Sequence, residues 1–88
     1  MTMISGMFHP RSSLAKRNMQ VVLLRSKGTI YRIIGVEFDI TGKRAAQIYD
    51  QHRHTMSAPE DSDFAKQYRQ MWQDVMGVEP PKPKLEWD

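Results

Sequence analysis

Between Tyr31 and Asp50 the chain carries two short amphipathic stretches joined by a tight turn, and this junction constrains the fold more than any other feature. Ile30, Ile34 and Phe38 recur every four residues, which is one face of a helix. Asp39 ends that helix and Ile40 follows as a buried connector. Thr41 can then cap a second helix by accepting an amide hydrogen bond in its first turn. That helix carries Ala45, Ile48 and Tyr49 inward and is expected to fray near His52 to His54. Two helices that cross steeply over so short a turn need a small residue where they touch, and Gly35 sits there. They need apolar neighbours, which Ile34 and Phe38 supply, and an apolar plug in the turn, which is Ile40. The second helix must present small or apolar residues about one turn apart, here Ala45 and Ile48. Asp39 occupies the place of the usual turn glycine, and Asp adopts the left-handed conformation at modest cost. The spacing predicts a helix-turn-helix with Ile34, Gly35, Phe38, Ile40, Ala45 and Ile48 as its core.

The flanking sequence predicts an all-α fold, a small helical bundle with an extra C-terminal helix and a Pro-rich tail. Ser12 or Ser13 can cap a helix through about Ser26, closed by Lys27-Gly28. Leu14, Val21, Val22 and Leu24 give it apolar surface, with Met19 a further contributor. The adjacent Val21 and Val22 also suit a strand, but the length of the segment and its basic residues favour helix. Ser57-Ala58-Pro59 reads as the cap of a last helix, with Glu60, Asp61 and Asp63 suiting its positive end. Phe64, Tyr68, Met71, Trp72 and Val75 form a stripe at helical spacing along it, and Gly77 closes it. The stripe is expected to cover the small core, or else to form a homodimer seam or a polymerase-facing helix. Residues 1–11, broken by Gly6 and Pro10, read as a disordered arm. Residues 78–88, with Pro80, Pro81 and Pro83, read as extended, and Trp87 as idle or as an anchor for that tail.

Size and composition exclude much. With 88 residues and no cysteine, there is room for one small domain and none for a disulfide framework, a thiolate zinc site or a thiol nucleophile. The absence of Cys fits a reducing cytoplasm. No apolar run is long enough for a membrane span, and the first residues lack the pattern of a signal peptide. Charge is unevenly spread. Residues 1–54 hold nine Lys and Arg against three acids, net +6, whereas residues 55–88 hold four bases against seven acids, net −3. A basic half joined to an acidic half suggests a module facing a polyanion, with an appendage that does something else.

The run Ile34-Gly35-Val36-Glu37-Phe38-Asp39-Ile40-Thr41-Gly42-Lys43-Arg44-Ala45-Ala46-Gln47-Ile48 resembles the −35-reading helix-turn-helix of bacterial sigma-70 factors, their region 4. The family pattern there is roughly I/V-G-x-x-F-x-V-T-x-x-R-x-x-Q-I. Arg17 to Arg25 resembles the R-x-x-x-V-L-x-L-R stretch that precedes it. The resemblance covers about residues 16–50 and is specific at Gly35, Phe38, Thr41, Arg44, Gln47 and Ile48. It implies a recognition helix over about Thr41–His52 lying in the major groove of double-stranded DNA. Thr41 would sit at the phosphates, Arg44 would bind backbone or base, and Gln47 would reach a base edge. Lys43 stands where the family commonly carries an acidic base reader. Gly42 and Ala46 stand where it commonly carries arginines that touch DNA.

These readings divide the chain into an arm (1–11), a DNA-binding domain (12–56), an amphipathic helix (57–77) and a tail (78–88). The expected function is sequence-specific transcriptional regulation in a bacterial or phage-infected cell, in the cytoplasm. The expected DNA contacts are Thr41, Lys43, Arg44, Gln47, Arg32, Lys27 and Arg25, with Lys16 and Arg17 on the same solvated basic surface. Phe64, Tyr68, Met71, Trp72 and Val75 are the candidate homodimer seam, and RNA polymerase is a candidate partner. The alternative is a module that docks on RNA polymerase or a sigma factor without binding DNA. No cofactor or metal is expected, because His52 and His54 point apart on a helix and nothing is spaced to complete a site. They read instead as surface histidines near phosphates. No catalytic arrangement is recognisable, so the chain is not expected to be an enzyme.

Overall fold

The computed structural model describes Phe8 and residues 14–83. Four helices follow one another: α1 Ala15–Ser26, α2 Tyr31–Phe38, α3 Gly42–Met56 and α4 Asp63–Met76, with no strand among the described residues. α3 is the central element, packing on α1, α2 and α4, whereas α2 packs on α1 and α3 alone. The radius of gyration is 12.4 Å, close to the ~12 Å of a compact domain of this size.

The expected core forms. Met19, Val21 and Val22 of α1, Ile34 of α2, Ala45, Ile48 and Tyr49 of α3, and Tyr68, Met71 and Trp72 of α4 are all buried together. The α4 stripe is therefore directed into the chain's own core. Tyr68 and Trp72 have no exposed surface to offer a dimer seam, and Phe64 and Val75 are half-buried. Val21 and Val22 lie on a helix, which resolves the strand ambiguity. Leu14, read as part of the apolar surface of this helix, is 44% exposed at the cap position of α1, where its apolar side chain makes no capping bond. Ser12 and Ser13 lie outside the described residues.

Four further differences have physical causes. Ile30, read as the first inward residue of its helix, is the extended cap residue of α2 and is half-exposed. α3 runs unbroken to Met56 because His52 and Thr55 are buried on the same stripe as Ala45, Ile48 and Tyr49. α4 starts at Asp63 rather than near Pro59. Ser62, whose hydroxyl accepts from the Ala65 amide at 3.2 Å, wins the capping role, while Ser57 donates to the His54 carbonyl at 2.6 Å and finishes α3. Finally, Phe8 falls in the arm expected to be disordered, yet it is fully buried, edge-on to Tyr68 at 5.7 Å between centroids. The other residues of that arm, and residues 84–88 with Trp87, lie outside the described set.

Gly77 closes α4 in the left-handed conformation, φ 72°. Residues 78–83 then run without regular structure across the bundle, with Pro80 buried.

Candidate nucleic-acid interface

The corner between α2 and α3 is built from four backbone decisions. Asp39 takes φ 56°, ψ 46°, the left-handed geometry anticipated for it, and its neighbour Ile40 donates its amide to the Gly35 carbonyl at 2.8 Å. Gly35 is buried where a Cβ would collide with the Ile40 carbonyl oxygen and press on Gly42 N at 3.1 Å and Thr41 C at 3.2 Å. Only glycine allows the chain to fold back this closely. Thr41 is extended, and its Oγ1 accepts the Arg44 amide at 2.9 Å, so the first turn of α3 is capped as expected. Gly42 lies against the start of α2, with Tyr31 and Arg32 backbone atoms 3.6 Å from where a Cβ would stand.

This corner aims one face of α3 inward and the other outward. Ala45 and Ile48 are buried, Ile34 and Gly35 are buried opposite them, and Phe38 and Ile40 are half-buried at the margin. On the outer face Lys43 and Gln47 are exposed and Arg44 is half-exposed. The Arg44 Nη1 lies 3.5 Å from the Gln47 Oε1, so the two side chains share one surface. No acidic residue interrupts α3 before Asp50, which pairs with Arg53 at 3.9 Å in solvent. An ion pair this exposed is worth little. The α3 N-terminus also directs its uncompensated amides and positive dipole end toward the same surface.

The remaining expected contacts divide into two groups. Arg32, Lys27 and Lys16 are exposed. Arg25 is held in the fold: its Nη1 donates to the Thr29 carbonyl at 3.3 Å and its guanidinium lies over the Tyr31 ring, 4.3 Å from the centroid. Partial burial raises the Tyr31 hydroxyl pKa above its usual value, against the lowering pull of Arg25. Arg17 donates twice to the Asn18 side chain, at 2.9 and 3.2 Å. Arg25 thus joins α1 to the start of α2, and Arg17 is held within α1, whereas Lys43 is exposed.

His52 is not a surface histidine. Its Nε2 lies 2.8 Å from the Pro81 carbonyl and its Nδ1 lies 2.7 Å from the Tyr68 hydroxyl. A carbonyl can only accept, so Nε2 carries the proton and Nδ1 accepts from Tyr68. Both ring nitrogens are occupied, which leaves neither for a metal, and no group of three potential ligands occurs among the described residues. Sequence reasoning missed this role, although His52 sits four residues after Ile48 and three after Tyr49, on the inner stripe.

The far end of the molecule is different in character. An open cleft of about 680 Å³ lies between the α3–α4 connection and residues 79–83, and Glu60, Asp61 and Glu79 outnumber Arg69 and Lys82 along it. All three of these acids belong to the acidic half of the sequence. Among the described residues no helix is long and apolar enough to cross a membrane. No family model matches the chain, and neither a curated protein nor a solved structure matches it.

Proposed function

We propose that this chain is a sequence-specific DNA-binding transcriptional regulator, with α2 and α3 as a helix-turn-helix similar to that of sigma region 4. The observation that carries the reading is the outer face of α3: a threonine-capped N-terminus followed by Lys43, Arg44 and Gln47 on one uncovered surface. In the major groove the capped turn meets phosphate, where amide donors and the helix dipole favour an anion. Gln47 offers a planar amide to a base edge, and Lys43 and Arg44 bind backbone or guanine. Arg32 and Lys27 add attraction that is independent of sequence. The chain works in the cytoplasm of a bacterial or phage-infected cell, by binding and not by catalysis. One recognition helix reads few base pairs, so two copies or a partner complete the specificity.

Titration of a fluorescent duplex, drawn from a selection on random DNA, tests the reading. Affinity should fall steeply as salt rises, and Gln47→Ala should relax preference at one position by about 1–3 kcal/mol. A chain with no duplex affinity at low salt that instead co-purifies with RNA polymerase would be a docking module, and the DNA reading would be lost.

A further inference from the structure

α2 has two unlike faces. Ile34 and Gly35 are buried against the bundle, while Ile30, Ile33 and Val36 on the other side are 49%, 55% and 81% exposed. Within the helix Ile33 and Val36 fall about 60° apart at 100° per residue, and Ile30, the extended cap residue, precedes Ile33 by three positions, so the three adjoin one another rather than being scattered. They are three of the five large hydrophobic residues exposed among the described residues.

The charges along this helix are the reverse of what a lone helix favours. Arg32 stands in the first turn and Glu37 in the last, with no acid in the first turn and no base in the last. Each sits at the dipole end that carries its own sign, which is destabilising. Exposed Lys27 precedes the helix and exposed Asp39 follows it, and among the described residues none of these four is in an ion pair. In a second α2 laid antiparallel the order of the two signs along the axis is reversed. The basic, positive end of one copy then meets the acidic, negative end of the other. The register follows from the spacing, since Ile30 and Val36 each lie three residues from Ile33.

We propose that two copies of this chain pair through the outer faces of α2, antiparallel about a two-fold axis at Ile33. Ile33 meets its own counterpart and Ile30 meets the partner's Val36. The surface is self-complementary, as a two-fold contact requires. Three side chains cover far less than the ~800 Å² per partner of a robust interface, so the pair is weak in dilute solution and strengthens with concentration. It uses no side chain of α3, and it stands or falls independently of DNA binding.

Because the chain has no cysteine, single cysteines report the contact. Under mild oxidation the Ile33→Cys chain should form a disulfide dimer at least about tenfold faster than Gln73→Cys, an exposed site on α4, because pairing raises the local concentration of the two thiols. Adding Val36→Lys to the Ile33→Cys chain should return the rate to that of the control while circular dichroism stays unchanged. In a mixture of Ile30→Cys and Val36→Cys chains, the mixed crosslink should dominate over either self-crosslink. Equal rates at positions 33 and 73, or dominance of the two self-crosslinks, would overturn the antiparallel pair. Duplex titration of the same variants reports separately on the DNA reading.

Discussion

The Tyr68 hydroxyl donates to the buried Nδ1 of His52 at 2.7 Å, joining α4 to the C-terminal half of α3. The other ring nitrogen holds the Pro81 carbonyl at 2.8 Å, so one imidazole ties together three segments distant in sequence. Around it stand Phe8, Tyr49, Tyr68 and Trp72, all with centroids within 6.5 Å. Burial pushes the Tyr68 hydroxyl pKa far above its usual value, and the group is a proton donor throughout the accessible pH range. Tyr68→Phe should therefore leave a buried acceptor without its donor and cost about 1–3 kcal/mol. Urea unfolding at neutral pH measures this. An unchanged midpoint would mean that the bond contributes nothing net.

The same burial lowers the His52 pKa to about 4, with the Pro81 carbonyl opposing the shift. An unfolded histidine takes its proton near pH 6.5, so below that value the unfolded chain binds a proton that the folded chain refuses. Stability is fully present above about pH 6.5 and drains as pH falls toward 4, by on the order of 3 kcal/mol. By pH 5.5, before most carboxylates titrate, the loss should be about 1.4 kcal/mol. His52→Gln should start less stable and lose this slope between pH 7.5 and 5.5, which paired urea titrations of the two chains would detect.

At the α2–α3 corner the expected effects have opposite signs. Gly35→Ala drives a methyl into the Ile40 carbonyl, and because the obstacle is backbone on both sides the corner must open. A cost of about 2 kcal/mol or more follows, with loss of whatever the corner positions. Asp39→Gly relieves a left-handed non-glycine residue at φ 56° and should be neutral or stabilising by up to about 1 kcal/mol. Thermal melts of the two variants should move to opposite sides of the parent or, for Asp39→Gly, stay level with it.

The corner was legible in the sequence because its residues obey rules that act over a few positions. Gly35, Asp39 and Thr41 are each fixed by backbone geometry that only certain residue types satisfy, and Ile34 and Ile48 by helical period. His52 lies on a stripe that the same period predicts, but its polar identity argued for the surface. Its partners at Tyr68 and Pro81 are far away in sequence and leave no local signal. Phe8 was hidden for the same reason, since it is buried against a residue sixty positions later. Ser57 and Ser62 are equally good caps locally, and packing chooses between them. The apolar stripe on the outside of α2 was masked because Ile30, Ile34 and Phe38 already satisfied one face. Ile33 and Val36 become conspicuous only once their exposure is known.

The outer face of α3 separates two kinds of loss. Thr41→Ala removes the acceptor of the Arg44 amide and should destabilise the fold by about 1 kcal/mol while also weakening duplex binding. Arg44→Ala removes a half-exposed side chain that lies 3.5 Å from Gln47, so stability should change by less than about 0.5 kcal/mol. Its effect should appear on DNA. If Arg44 holds a phosphate, affinity falls equally for all duplexes and the slope of log affinity against log salt shrinks by roughly 1. If it holds a base, discrimination falls and the salt slope shrinks less. Arg53→Ala, further along the helix in an exposed pair with Asp50, is the matched control and should leave both measurements close to the parent. Identical losses for Arg44→Ala and Arg53→Ala would mean that the charge of this face acts only as a diffuse field, and that the N-terminal half of α3 has no privileged contact with the duplex.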